Sequence, residues 1–401
     1  MKSPAPTLSK PGTIPRYLAS AVARDALADR KMAFISGPRQ SGKTTMARGL
    51  LSSAANVFTW DDPAFRRRWV RDPYEAIAHR GAGPILLDEI HKDRRWKGRL
   101  KGVYDLHGDE IPILATGSAR LDLFRRGGDS LMGRFIPYRL HPLSVGERTE
   151  PPGPEAILSD AAPSFPFADT LRLGTFPEPL LAGQEGKARR WSRLRLERLM
   201  YEDLRDLRHV HDLQALRVLV DLLPDRVGAP FSMNSVREDV GVAYATIRDW
   251  IGVLEALYHV ILIRPFAGRL QRTLRAEPKL YLFDVLQIPE PGERRENLTA
   301  LHLLKACHFW TDLAFGDFEL RYLRTKEKEE VDFVVVRDRK PWMLVECKSG
   351  ELSPSPTLVK FAARLSTKRN VQLVDRKGHD RSYPQLHVRV MDYERFLSGL
   401  V

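Results

Sequence analysis

Nine consecutive residues, Gly37, Pro38, Arg39, Gln40, Ser41, Gly42, Lys43, Thr44 and Thr45, have the spacing G-x-x-x-x-G-K-T of a phosphate-binding loop. An apolar run, Met32-Ala33-Phe34-Ile35-Ser36, precedes them and reads as a buried strand, and the residues from Thr45 to Leu51 can open a helix. In that context glycines let backbone N–H groups curl around a β-phosphate at a helix N-terminus, where the macrodipole favours anions. Lys43 would reach the β- and γ-phosphates, and the Thr44 hydroxyl would ligate Mg²⁺. Further along, Pro84-Ile85-Leu86-Leu87-Asp88-Glu89 is an apolar strand ending in two carboxylates. Asp88 would hold the Mg²⁺ ion and Glu89 would orient and polarise an attacking water. The strand Ile111–Thr116 runs into Gly117-Ser118-Ala119. Ser118, with Thr116 as second choice, suits a polar group that senses the γ-phosphate. Together these pieces predict binding of a nucleoside triphosphate and its hydrolysis.

A second constellation lies in the last third of the chain. Glu296 opens a helix, Asp332 sits on the returning strand of a hairpin (320–324 to 330–336), and Glu346-x-Lys348 puts a carboxylate and an ammonium on one face of the next strand. Two or three carboxylates with a lysine can hold a hard cation, Mg²⁺ or Mn²⁺, and activate water for phosphodiester cleavage. Charged groups inside apolar strands are costly unless paired or metal-bound. Asp332 and Glu346 are the candidate metal ligands, and a structural Asp/Glu–Lys salt-bridge cluster is the other reading.

These groups need scaffolds. At 401 residues the chain is long enough for two to four domains, and 43% hydrophobic with 29% charged residues is a globular balance. No apolar run approaches a bilayer span and the N-terminus carries no signal-peptide core, so a cytoplasmic protein without a membrane partner is expected. Cys307 and Cys347 read as reduced core thiols. The net charge of +13 admits a polyanionic partner, DNA or RNA. The basic stretch Arg94, Arg95, Lys97, Arg99 and Lys101 could touch phosphates, although the solvated face of a helix explains it as well.

Strands alternating with helical segments predict an open parallel α/β sheet in residues 1–150, with nucleotide at the carboxyl ends of its strands. A Pro-rich break at 150–154 ends that domain. Residues 151–228 read as a helical linker or lid. Residues 229–268 read as helix, Gly241 turn, helix and strand, a winged helix with Arg248 on its second helix. Residues 269–401 form the C-terminal α/β domain.

The chain resembles a group of bacterial and archaeal P-loop ATPases with an AAA+-like domain fused to a C-terminal domain of unknown function and restriction-endonuclease-like fold. The likeness runs through the loop at 37–45, Leu87-Asp88-Glu89-Ile90-His91, Thr116-Gly117-Ser118-Ala119, Leu131-Met132-Gly133-Arg134, Leu140–Ser144 and Gly174–Pro179. It continues in Pro278–Asp284, Glu296-Asn297-Leu298, Glu330–Phe333 and Val345–Lys348. The resemblance implies ATP with Mg²⁺, and an arginine finger at Arg134 acting within the chain or from a neighbouring copy. It also places Glu296, Asp332, Glu346 and Lys348 on endonuclease-type motif positions. The expected function is an ATPase that couples nucleotide state to a nucleic-acid-binding or nucleolytic C-terminal domain. The alternative is an ATP-dependent regulatory switch that binds a protein partner or further copies of itself and has no nuclease activity.

Overall fold

A computed structural model describes residues 14–108, 110–117, 131–204, 212–266 and 277–401. The chain divides into two compact units, residues 1–142 with 147–151, and residues 143–146 with 152–401.

The first unit is a five-stranded sheet built from β1 (Met32–Ser36), β2 (Val57–Thr59), β3 (Ile85–Asp88), β4 (Ile113–Thr116) and β5 (Phe135–Arg139). The strand order is β2-β3-β4-β1-β5 and every pairing is parallel. Such sheets are covered on both faces, which is why β1 and β4 are buried along their whole length and read as continuous apolar runs. Met32, Phe34, Ile85, Leu87, Ile113 and Ala115 form one core with side chains from two helices, Pro63–Arg71 and Trp96–His107. The first helix is specified locally. Asp62 caps it through the Ala64 N–H at 2.8 Å, Pro63 takes its first position, and Phe65 and Trp69, one turn apart, face inward. In the second helix Trp96 and Leu100 turn inward, and Arg99 pairs with Asp93 at 2.6 Å. Parallel pairing brings the carboxyl ends of β1, β3 and β4 to one edge. The phosphate loop, Asp88 and Thr116 therefore share that edge.

In the second unit a six-stranded mixed sheet has the order β12-β13-β11-β10-β9-β8. Its strands are β8 (Phe318–Arg324), β9 (Glu330–Arg337), β10 (Lys340–Lys348), β11 (Arg369–Val374), β12 (Asp380–Tyr383) and β13 (Val388–Asp392). β11 is parallel to both of its neighbours, β10 and β13, and the other pairs are antiparallel. Val334, Leu344, Val374 and Val390 pack with Leu358 and Phe361 of the helix Pro356–Leu365. The helix expected around Glu296 spans Pro291–Asp312, with proline at its first turn, and its 22 residues give a length of about 33 Å. Before it, the helix Met233–Val240 ends at Gly241, whose φ of +77° turns the chain into the helix Tyr244–Ala256. An antiparallel pair follows, β6 (Val260–Ile263) with β7 (Lys279–Leu282). Among the described residues no helix is long and apolar enough to cross a membrane.

Candidate functional site

The loop after β1 takes positive φ at Gly37, Gln40 and Gly42. Gly37 has φ +145°, and a Cβ there would lie 2.2 Å from the Leu140 carbonyl oxygen. Gly42, at φ +92°, stands at the N-cap of the helix Lys43–Gly49. Lys43 is buried, and its ammonium donates to the carbonyls of Gly37 (3.0 Å) and Pro38 (2.6 Å). The Ser41 hydroxyl is buried and, among the described residues, has no hydrogen-bond partner. An arginine from before the first strand braces the loop. Arg16 donates to the carbonyls of Ser41 and His141, each at 2.5 Å, and pairs with Glu147 at 2.8 Å.

At the end of β3, Asp88 Oδ1 accepts from the Thr44 hydroxyl at 3.0 Å and also from the buried Thr116 hydroxyl. An oxygen pair of this kind fits a hard cation such as Mg²⁺. Glu89 follows in the left-handed region at φ +56°, a conformation that costs a non-glycine residue roughly 1–2 kcal/mol. The turn aims its carboxylate away from the strand axis, 3.6 Å from the ammonium of Lys92, which itself pairs with Asp61 at 2.7 Å. Burial raises the pKa of Glu89, with Lys92 and Lys43 opposing. A carboxylate made more basic by desolvation suits proton acceptance from water.

The structure thus gathers Gly37 to Thr45, Asp88, Glu89 and Thr116. Ser118 lies outside the described residues. Arg134 is not brought to the site within its own chain. Met32 pairs with Phe135, so Arg134 stands just before β5, level with the start of β1. The phosphate loop leaves the other end of β1, some five residues or about 17 Å away. Arg134 instead pairs with Asp105 at 2.5 Å.

The C-terminal carboxylates do converge, but around a residue that the sequence reading passed over. The Lys279 ammonium, fully buried on β7, lies 2.5 Å from Glu330, 3.1 Å from Asp332 and 3.2 Å from Glu296. Tyr281, two residues on and so on the same face of β7, donates to Glu296 at 2.7 Å. The second oxygen of Asp332 accepts the Cys347 N–H at 2.9 Å. Glu346 pairs with Lys348 at 2.9 Å, and its other oxygen is buried without a partner. Burial and then the charge of Asp332 push the Glu296 pKa up to about 7, against the pull of Lys279. Burial alone would lower the pKa of Lys279, but Asp332, Glu296 and Glu330 outweigh it and hold the ammonium charged. Among the described residues no group of three or more His, Cys, Asp and Glu is disposed to hold a metal ion. Asp332 and Glu346 stand on the adjacent strands β9 and β10, and with Asp332 bonded to the Lys279 ammonium and the Cys347 N–H the described residues present an ion cluster centred on Lys279. The signal was available: a lysine inside the apolar run Lys279–Leu282 requires carboxylates nearby. Arg248, on the exposed side of the helix Tyr244–Ala256, is paired with its neighbour Asp249 at 2.9 Å.

Residues 29–149 match a family described as an AAA domain, and residues 165–285 match one described as a domain of unknown function. The sheet and the loop at 37–45 of the first unit thus lie within the region similar to AAA domains. An uncharacterized protein of Mycobacterium tuberculosis is 27% identical over 338 residues, 82% of this chain and 73% of that protein. An uncharacterized protein of Methanocaldococcus jannaschii is 26% identical over 227 residues, 50% of this chain and 46% of that one. Among solved structures, a Walker-type ATPase of Pyrococcus abyssi aligns over 72% of this chain and 98% of its own, with 12% identity and a TM-score of 0.39.

Proposed function

We propose that this protein is a Mg²⁺-dependent ATP hydrolase whose second unit works as a binding module. The observation that carries the ATPase reading is the edge where Lys43, Thr44, Asp88, Glu89 and Thr116 meet. Thr44 and Asp88 would hold the Mg²⁺, whose charge offsets that of the β- and γ-phosphates. Lys43 would exchange its contacts with the loop carbonyls for phosphate oxygens. Glu89 accepts the proton of the attacking water, and Thr116 fixes the Asp88 carboxylate. Arg134, if it serves as a finger, does so from a neighbouring copy.

For the second unit we favour binding over cleavage. The mixed sheet that carries Asp332, Glu346 and Lys348 supports a restriction-endonuclease-like core. The two helices around Gly241, followed by β6 and β7, support a winged helix. Lys279 supplies the positive charge where a cleavage site would need a metal, and that favours the switch reading without nuclease activity. Phosphate release from ATP is the direct test. The wild type should turn over ATP, and Glu89→Gln should bind ATP yet lose turnover on the order of a hundredfold or more. Wild-type turnover in Glu89→Gln would remove the assignment. Nicking of plasmid in Mg²⁺ or Mn²⁺ that depends on Asp332 would return the C-terminal unit to the nucleases.

A further inference from the structure

A cavity of about 350 Å³ opens in the second unit, apart from the ion cluster around Lys279. Four elements wall it: the helix Phe167–Leu173, the N-terminal part of the helix Glu185–Arg198, the short helix Val285–Gln287, and the N-terminus of the helix Pro291–Asp312. Four arginines line it, Arg172, Arg189, Arg294 and Arg295. Their partners do not balance them. Arg172 pairs with Asp169 at 2.8 Å and reaches Glu185 at 3.4 Å, Arg189 shares that glutamate at 3.1 Å, and Arg295 pairs with Asp375 at 3.0 Å.

Arg294 is the exception. It is half-buried and donates to the Ile288 carbonyl, at 2.9 Å from Nε, and makes no ion pair with a carboxylate among the described residues. Asp284 acts on it only through space, since the Asp284 oxygens accept from Ser192, Gln287 and the Leu286 N–H. Burial lowers the pKa of Arg294, as expected of a guanidinium short of compensating charge. Glu290, the N-cap of the 22-residue helix, makes no side-chain cap, and Glu293 stands in its first turn. Leu171 and Leu286 give the cavity an apolar wall.

We propose that this cavity binds a phosphate group carried by a ligand of about mononucleotide size, with Arg294 as the anchor. Guanidinium groups arriving from three elements match the several oxygens of a phosphate, which accept paired N–H donors from more than one direction. The apolar wall suits the flat face of a base or a similar ring. Glu185 occupies the entrance as an internal anion, bridging Arg172 and Arg189 until a ligand competes for them. The phosphate can belong to a free nucleotide or to the end of a strand. The inference does not depend on ATP hydrolysis in the first unit.

The test uses the full chain carrying Lys43→Ala, so that the phosphate loop contributes nothing. Calorimetric titration with 5′-AMP and with inorganic phosphate should show saturable binding, and adenosine should show none. Arg294→Gln should weaken 5′-AMP about tenfold, the loss of one charge-assisted contact. Arg189→Gln, an exposed site whose substitution leaves packing alone, should weaken it severalfold, and Glu185→Gln should tighten it. Competition by a 5′-phosphorylated oligonucleotide, and not by its dephosphorylated form, assigns the phosphate to a strand end. Failure of both forms to compete assigns it to a free small molecule. Adenosine binding as well as 5′-AMP, the absence of saturable binding, or unchanged affinity in Arg189→Gln would overturn the proposal. ATP turnover by Arg189→Gln on an otherwise wild-type chain should be unchanged, which separates this outcome from any failure of the ATPase reading.

Discussion

Replacing Lys279 by Met removes the cation around which the second unit gathers three carboxylates. The side chain is fully buried, and methionine keeps its length without its charge. Not every partner is stranded. Glu330 keeps Arg324 at 2.5 Å, and Asp332 keeps the Cys347 N–H at 2.9 Å. Glu296 keeps only the Tyr281 hydroxyl at 2.7 Å and already repels Asp332. Breaking a buried ion pair from one side costs about 3–5 kcal/mol. In a unit of this size each kcal/mol moves Tm by about 2 °C, so a fall of about 6–10 °C is expected near pH 7.5. The deficit should shrink as the pH is lowered, because Glu296 can then take up a proton in place of the missing ammonium. Thermal melts of both proteins from pH 5 to 8 measure it. A Tm within about 2 °C of wild type at pH 7.5, or a deficit that widens on acidification, would refute the reasoning. Glu296 supplies a companion test with its own sign. Its pKa stands at about 7 against an ordinary 4.5. The stability it contributes is thus complete below 4.5 and is lost as the pH rises through 7. Glu296→Gln leaves Glu330 and Asp332 on Lys279, and should gain on wild type between pH 5 and 8, by at most about 3 kcal/mol.

Thr116→Val keeps the shape of the side chain and removes the hydroxyl that donates to Asp88. The Mg²⁺ concentration needed for half-maximal ATP turnover should rise about tenfold, and an unchanged requirement would detach Thr116 from the site. Arg134→Ala should leave turnover within about twofold at protein concentrations where the chain is monomeric. A hundredfold loss that appears only as the protein associates would identify it as a finger supplied by another copy.

The two ends of legibility are represented by Lys43 and Lys279. The lysine of the phosphate loop announces itself because its chemistry and its backbone requirements lie within nine adjacent residues. Asp88 and Glu89 are nearly as plain, since an apolar run that stops at two carboxylates leaves them at a strand end. Lys279 draws its partners from positions 17 and 53 residues away, on a helix and on another strand, and no local period reports that convergence. Whether Arg134 stands near the loop of its own chain was illegible for a related reason. It follows β4 in the chain, but the strand it introduces lies beside β1, on the far side of β1 from β4, and begins at the wrong edge. Arg248 does stand on the helix expected for it, exposed and paired with Asp249. The helices around Gly241 were visible from the turn glycine and apolar spacing, whereas the order of the six strands in the second sheet depends on tertiary pairing.

The brace from Arg16 bears on where this domain can be cut. Similarity to the AAA domain begins at residue 29, yet Arg16 holds the carbonyls of Ser41 and His141, and Tyr17 donates its hydroxyl to the Arg139 carbonyl at 2.6 Å. Both side chains are buried. A fragment trimmed to the region of similarity would lose the Arg16 contacts to Glu147 and to the Ser41 and His141 carbonyls. Its nucleotide affinity would then report the injury of trimming, and a weak value would say little about the intact protein. A fragment that begins ahead of Arg16 keeps the loop in the setting that shapes it.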